Sequence, residues 1–218
     1  MKHIALIVAG TAIALVACGP SEAEIAEQKR QAYEDSLATV AASERAVVID
    51  AQASSVDWAG TMLGIKRHFG KVALADGKLI VKGPSVTAGS FVVDLTSITT
   101  GDTLYSPPGS EEGTSTHLVN HLQSADFFDV ANHPTATFEI SRVEGNTAYG
   151  NLTIRGVTHE EKVTDIVVSE ENGQVTATGN LTFDRQKYGV AWSSGSKDAV
   201  LNDDIEIVVN LAGRIVNA

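Results

Sequence analysis

The chain has 218 residues, 43% of them hydrophobic and 20% charged, which is enough to bury the core of one domain with appendages and too apolar for a disordered chain. Its formal net charge of −11 and the lack of any Lys/Arg run argue against a nucleic-acid partner and against a basic patch for anionic membranes. Any dealings with lipid must therefore rest on apolar burial or on a covalent anchor.

Residues 1–18, MKHIALIVAGTAIALVAC, place Lys2 ahead of an uncharged apolar run of signal-peptide length, followed by small residues and Cys18. The run is short for a membrane span. Cys18 is the chain's single cysteine, so it has no partner for an intramolecular disulfide or for a shared metal site. LVAC, residues 15–18, resembles the bacterial lipobox. That resemblance implies a leader over 1–17 that is removed and a Cys18 that carries a diacylglycerol and an N-linked, palmitate-type acyl chain. Several such chains, at roughly 0.8 kcal/mol per buried methylene, hold a protein on a membrane durably. Gly19, where an aspartate would favour retention on the inner membrane, points to the outer membrane of a bacterial envelope, facing the periplasm. The alternative is an ordinary secretory signal with an unrelated cysteine.

Residues 21–46 contain no glycine or proline, and Ser21 followed by Glu24 is a capping-box pattern, so a helix is expected. Its apolar positions, Ile25, Tyr33, Leu37 and Val40, make only a thin stripe. This suits a solvated tether over 18–45; the alternative is a helix that binds a partner.

From residue 46 to 216 the texture changes to short alternating runs broken by Gly, Asn, Asp and Pro, an all-β signature. Phe91, Val93 and Leu95 share one face of FVVDLTSI, and Ala136, Phe138 and Ile140 one face of TATFEI. Leu152 and Ile154, Leu181 and Phe183, and Ile205, Ile207, Val209 and Leu211 repeat the pattern. About eight strands are expected, with hairpin turns at Asp76-Gly77, Gly145-Asn146 and Asn172-Gly173. A meander of that size escapes exposed edges by closing into an eight-stranded antiparallel barrel, whose interior holds side chains or one slender ligand. Residues 100–134 interrupt it with an irregular loop and a short helix, THLVNHLQS, that ends near Phe127 and Phe128.

Chemical motifs are sparse. His117 and His121 stand four apart, the spacing of a zinc pair, but Leu118 replaces the zincin glutamate and no cysteine is available, so rim or structural histidines are the better reading. His68, His133 and His159 lie singly beside turn or polar residues and are read as structural. No serine occupies a G-x-S-x-G elbow, and Asp126 and Asp129, three apart around the phenylalanines, suit turn roles better than an acid–base pair. Asp184 and Arg185 in FDRQKYG fit either an ion pair at a strand end or a polar anchor at the barrel mouth. The glycosylation triplets at Asn151 and Asn180 lie in expected strands and are discounted. The reading is non-enzymatic, without cofactor or metal.

In order along the chain, SSVDW (54–58), KRHFGKV (66–72), GSFVVDLTSI (89–98), HLQSADFFDVANHPTATFEI (121–140), GNLTIRGVTHEEKV (150–163) and FDRQKYGV (183–190) resemble the YceI family of polyisoprenoid-binding exported proteins. The resemblance covers residues 46–216 and implies a lipocalin-like barrel whose apolar tunnel holds a polyprenyl or other long lipid chain. No catalytic residues come with it, and the phenylalanine pair, matching the family's DFFD segment, becomes packing or rim. The side chains expected inside are Val56, Trp58, Phe69, Phe91, Val93, Leu95, Phe138, Ile140, Leu152, Ile154, Leu181, Phe183, Ile205 and Ile207. The chain departs from plain members in its lipobox and helical spacer and in an enlarged 100–118 loop. The rival reading is a membrane-tethered interaction or stress-response protein with a filled barrel, and cavity volume separates the two. A homodimer is compatible with either.

Overall fold

The structure is a computed structural model that describes residues 21–63, 66–102, 114–193, 195 and 200–216. The expected leader, Cys18 and most of the 100–118 loop lie outside the described residues.

The first helix, α1, spans Glu22–Ala42. Its N-terminus is the capping box that the sequence anticipates: Ser21 donates its backbone N–H and its hydroxyl to Glu24 at 2.7 and 2.8 Å, and Glu24 N–H returns a bond to Ser21 Oγ at 3.3 Å. Ile25, Tyr33 and Leu37 are exposed. The helix leans instead on local pairs such as Arg30 with Glu27 and Glu34, and Gln31 with Asp35. It stops short of the expected residue 46, because Glu44, Arg45 and Ala46 pair in the sheet. Ladder bonds to a neighbouring strand outweigh helix propensity there.

Among the described residues nine strands follow: β1 (Glu44–Ile49), β2 (Ser55–Leu63), β3 (Lys66–Lys82), β4 (Ser85–Thr100), β5 (Thr135–Glu144), β6 (Thr147–Ile154), β7 (Val157–Glu171), β8 (Gln174–Asp184) and β9 (Val200–Val216). A second helix, α2 (Ser115–Gln123), lies between β4 and β5, and a 3-10 turn, Arg185–Tyr188, follows β8. Every pairing is antiparallel, and β3–β4 joins the ends of the meander into a closed barrel. The nine segments occupy eight positions. β1 pairs with residues 78–82 of β3 and 213–216 of β9, whereas β2 pairs further along the same two strands, so β1 and β2 are one barrel position interrupted at 50–54. At this junction Gly213 is obligatory in practice: a Cβ there would stand 2.5 Å from Val48 O.

Two of the expected hairpin turns are present. Asn172 and Gly173, with φ of 51° and 77°, join β7 to β8, and Gly145-Asn146 joins β5 to β6. Asp76-Gly77 is different: it lies inside β3, where a register shift between Leu74 and Asp76 marks a bulge. The bulge changes the inward phase from Val72 and Leu74 to Gly77, Leu79 and Val81, which lets a 17-residue strand bend around the barrel. The chain reverses instead at 83–84.

The two ends of the barrel are built differently. Hairpins at 83–84, 145–146 and 172–173 close the end that carries β1, and there Val47, Leu79, Val81 and Val175 are almost wholly buried. The other end carries the longer connections, including α2, residues 124–134 and the segment after β8.

Candidate ligand-binding cavity

Behind the packed end the barrel is hollow. An apolar cavity of about 590 Å³ runs from Leu79, Val86 and Leu211 to the helix-bearing end, a volume in the range of small-molecule sites, roughly 300–1,000 Å³. The wall is made by the alternation of the strands: inward residues of β2, β4, β5, β6, β8 and β9 present aliphatic and aromatic side chains to the hollow. All but one of the residues expected inside line it. Gly60, also on the wall, leaves space that a larger residue would fill, since a Cβ there would meet only Ile205 Cδ1, at 3.4 Å.

Phe69 is the exception and a correction. It is 45% exposed and lies on the outer surface, over Gly101, where it lines a shallow depression with Arg67, Lys71 and Glu206. Val72 and Leu74 set the inward phase of this part of β3, so an odd-numbered neighbour must point out. The bulk of Phe69 is no guide to its side.

At the other end a lid of aromatic and helical residues covers the hollow. Leu118, His121 and Leu122 of α2 face it together, at the i, i+3, i+4 spacing of one helix face. Thr114 caps the helix by accepting from His117 N–H at 3.1 Å, and Gln123 Nε2 pins its far end to Thr96 O at 3.0 Å. Phe127 and Phe128 are buried, meet edge to face at 5.0 Å and line the cavity, so the pair is packing at the rim. Arg155 holds their backbone by donating to Phe127 O. Asp129 serves the turn, accepting from Asn132 Nδ2 with both carboxylate oxygens. Asp126 lines the mouth and is exposed.

Two buried polar residues anchor this end. Arg185, 3% exposed, donates Nη1 to Val190 O (2.6 Å) and Trp192 O (3.0 Å), Nε to Asn202 O (3.3 Å), and Nη2 to Leu201 O (3.5 Å) and Asp203 Oδ1 (2.9 Å). Its ion-pair partner is thus Asp203, and Asp184 instead caps the 3-10 turn through Gln186 N–H at 2.9 Å. Asp184 and Arg185 of FDRQKYG therefore do not pair with each other; Arg185, which does not line the cavity, fastens residues 190–192, and Trp192 meets His121 of α2 at 4.8 Å. Asp102 is the second anchor. Its carboxylate stands 2.7 Å from His68 Nδ1 and 3.7 Å from Lys66 Nζ, and its backbone carbonyl accepts from Ser115 Oγ at 3.1 Å. Burial alone would raise its pKa; the bond and charge of His68, with Lys66 and Thr100, outweigh it and hold the carboxyl below its usual range. His68, read from sequence as structural, therefore also lines the cavity mouth.

His121 sits between Trp192 and Phe127, with ring centroids at 4.8 and 5.6 Å, both edge-on. Burial depresses its basicity; Asp126 counteracts this and His117 reinforces it, with a net downward shift. Among the described residues no cluster of three His, Cys, Asp or Glu side chains is placed to hold a metal. His68, Trp192 and Leu201 had no periodic signal to reveal them, whereas the α2 face was readable from its spacing.

This chain is similar to proteins of known sequence and to solved structures. A UPF0312 protein of Staphylococcus epidermidis is 35% identical over 104 residues, covering 44% of this chain and 59% of that one. A UPF0312 protein of Pseudomonas paraeruginosa is 28% identical over 102 residues, 43% and 51% of the respective chains. The matched part thus spans little more than half the length of these curated relatives. Among solved structures, BcnA of Burkholderia cenocepacia superposes with a TM-score of 0.51 at 19% identity, over 75% of this chain and 98% of that one. A polyisoprenoid binding domain from Saccharophagus degradans, implicated in plant cell wall breakdown, gives 0.53 at 13% identity, over 79% and 99%. Likeness at such identities is one of fold. The YceI-like domain, however, matches residues 48–212, from β1 through the inward leucine and isoleucines of β9, and with the barrel continuous over that whole span the chain belongs to the YceI-like family.

Proposed function

We propose that this protein is a non-catalytic carrier that holds a long isoprenoid or other lipid chain in its barrel, and that it is exported and anchored in the bacterial envelope through acylated Cys18. The observation that carries the first part is the cavity of about 590 Å³ walled by apolar side chains. A filled barrel, the rival expectation, would leave no such space. A polyisoprenoid-binding domain of the same fold, from Saccharophagus degradans, supports the choice of ligand class. The anchor rests on LVAC and the apolar leader before it, and the exposed face of α1 suits a tether that crosses solvent.

Each methylene removed from water contributes roughly 0.8 kcal/mol before ordering costs, so affinity should rise with chain length until the cavity is full. Titration of the soluble chain with prenols of ten, fifteen and twenty carbons, followed by Trp fluorescence, tests this because Trp58 and Trp192 both line the hollow. The dissociation constant should fall at least tenfold over the first step and then level off. Binding indifferent to chain length would sink the carrier reading. Native mass spectrometry with solvent extraction of the untagged protein then identifies a resident lipid. For the anchor, Cys18→Ser should abolish acylation and release the protein from the membrane fraction; unchanged partition would defeat it.

A further inference from the structure

We propose that His121 is the recognition point for the polar head of the bound chain, and that the site selects an uncharged, hydrogen-bonding head, such as an alcohol or carbonyl, over a phosphate. This rests on the carrier reading and narrows it.

Three observations converge at the mouth. First, His121 lines the cavity, and its Nε2, shielded from solvent, has no hydrogen-bond partner among the described residues. Buried polar atoms in folded proteins are almost always satisfied, so an orphan nitrogen on a residue that lines the hollow calls for a partner that arrives with the ligand. A neutral imidazole has one donor and one acceptor nitrogen, and either suits an alcohol. The ring is held in place by edge contacts to Phe127 and Trp192, so it is oriented before any ligand arrives.

Second, the polar residues of this end, His68, Thr114, His117, His121 and Asp126, include no lysine or arginine, and none lines the cavity elsewhere among the described residues. The nearby cations among the described residues are already engaged. All of the donors of Arg185 that point inward meet carbonyls or Asp203, and Lys66 faces Asp102. Third, Asp126 gives the mouth negative charge, in a chain whose net charge is −11. A phosphate entering here would lose its hydration without meeting a countercharge among the described residues, whereas an alcohol loses little and gains the His121 bond. The burial that depresses the basicity of His121 keeps it neutral and unable to serve as that countercharge near neutral pH.

Three fifteen-carbon probes separate head from chain: farnesene, farnesol and farnesyl monophosphate, each titrated into the soluble chain at pH 7.5 by Trp fluorescence with calorimetry as a check. Farnesol should bind at least fivefold more tightly than farnesene and at least tenfold more tightly than the monophosphate. His121→Phe keeps an aromatic ring against Phe127 and Trp192; it should bring farnesol down to the affinity of farnesene and leave farnesene unchanged. Asp126→Asn, on an exposed side chain, should improve the monophosphate several-fold with farnesol unchanged, and serves if His121→Phe fails to fold. Farnesene binding together with a monophosphate as tight as farnesol would overturn the head site while leaving the carrier reading intact. An unchanged farnesol-to-farnesene ratio in folded His121→Phe would overturn it as well. Failure of all three probes to bind would overturn the carrier reading, and the head site with it.

Discussion

The two ends of one barrel meet the same problem, an apolar interior that must be kept from water, with different means. At the hairpin end the turns are two residues long and the strands arrive close together, so Val47, Val81 and Val175 are buried and line no hollow. At the other end long connections bridge the rim, and a few polar anchors, Arg185 and Asp102 above all, hold them over a hollow. The ladder of backbone bonds is continuous through both. What differs is whether side chains or lid segments exclude solvent, and this decides which end tolerates change and which end can open.

The largest effect should come from the packed end. Val81→Ala, at 1% exposure and off the cavity wall, is expected to cost about 3 kcal/mol, because a tight site cannot collapse around the lost atoms, and to lower the melting temperature by roughly 8 °C. Val56→Ala, on the cavity wall, should cost about half as much, since it enlarges a hollow that exists already. Equal losses in urea unfolding would abolish the distinction between the ends. Next, Arg185→Met should cost about 2–3 kcal/mol by stranding the carbonyls of Val190 and Trp192. It should also loosen Trp192, seen as a red-shifted Trp emission that Val81→Ala does not produce to the same degree.

Gly60→Val sharpens the contrast from the other side. Filling the hollow should change stability by less than about 1 kcal/mol, because a strand glycine replaced at a compatible site restricts the unfolded chain. Prenol binding should nevertheless fall at least tenfold, and retention of full affinity would place the ligand elsewhere.

The smallest expected effect is a pH dependence confined to the lid. His121, faced by His117 and Asp126, is held below its ordinary value of 6.5, so the folded chain resists a proton that the unfolded chain accepts. Its contribution to stability is complete above that value and is lost as pH falls below it. Wild-type protein should therefore lose stability from about pH 6.5 downward relative to His121→Phe. Parallel pH profiles for the two would remove the histidine from the account.

The barrel was legible in the sequence because one-face burial in a strand imposes a period of two, and Phe91, Val93, Leu95 or Ile205, Ile207, Val209 write that period directly. The capping box at Ser21 and Glu24 was equally local, since its bonds join residues three apart. Where a bulge intervenes the period breaks. Asp76-Gly77 carries the composition of a turn yet sits inside β3, and Phe69 carries the bulk of a core residue yet faces out. Composition at those sites is the same for a turn or a bulge, for an inner or an outer face; only pairing with β4 and the phase of Val72 and Leu74 choose between them. The lid depended on tertiary structure even more. His68 meets Asp102, and Arg185 meets Asp203, because distant strands end at the same rim. His121 is left with an open nitrogen for the same reason, since Trp192 arrives beside it from a segment some seventy residues away with no periodicity of its own. Local pattern determined a closed barrel with an apolar interior; how much of that interior stays empty, and which polar atoms face it, was decided by side-chain volumes and loop paths that meet only in the folded chain.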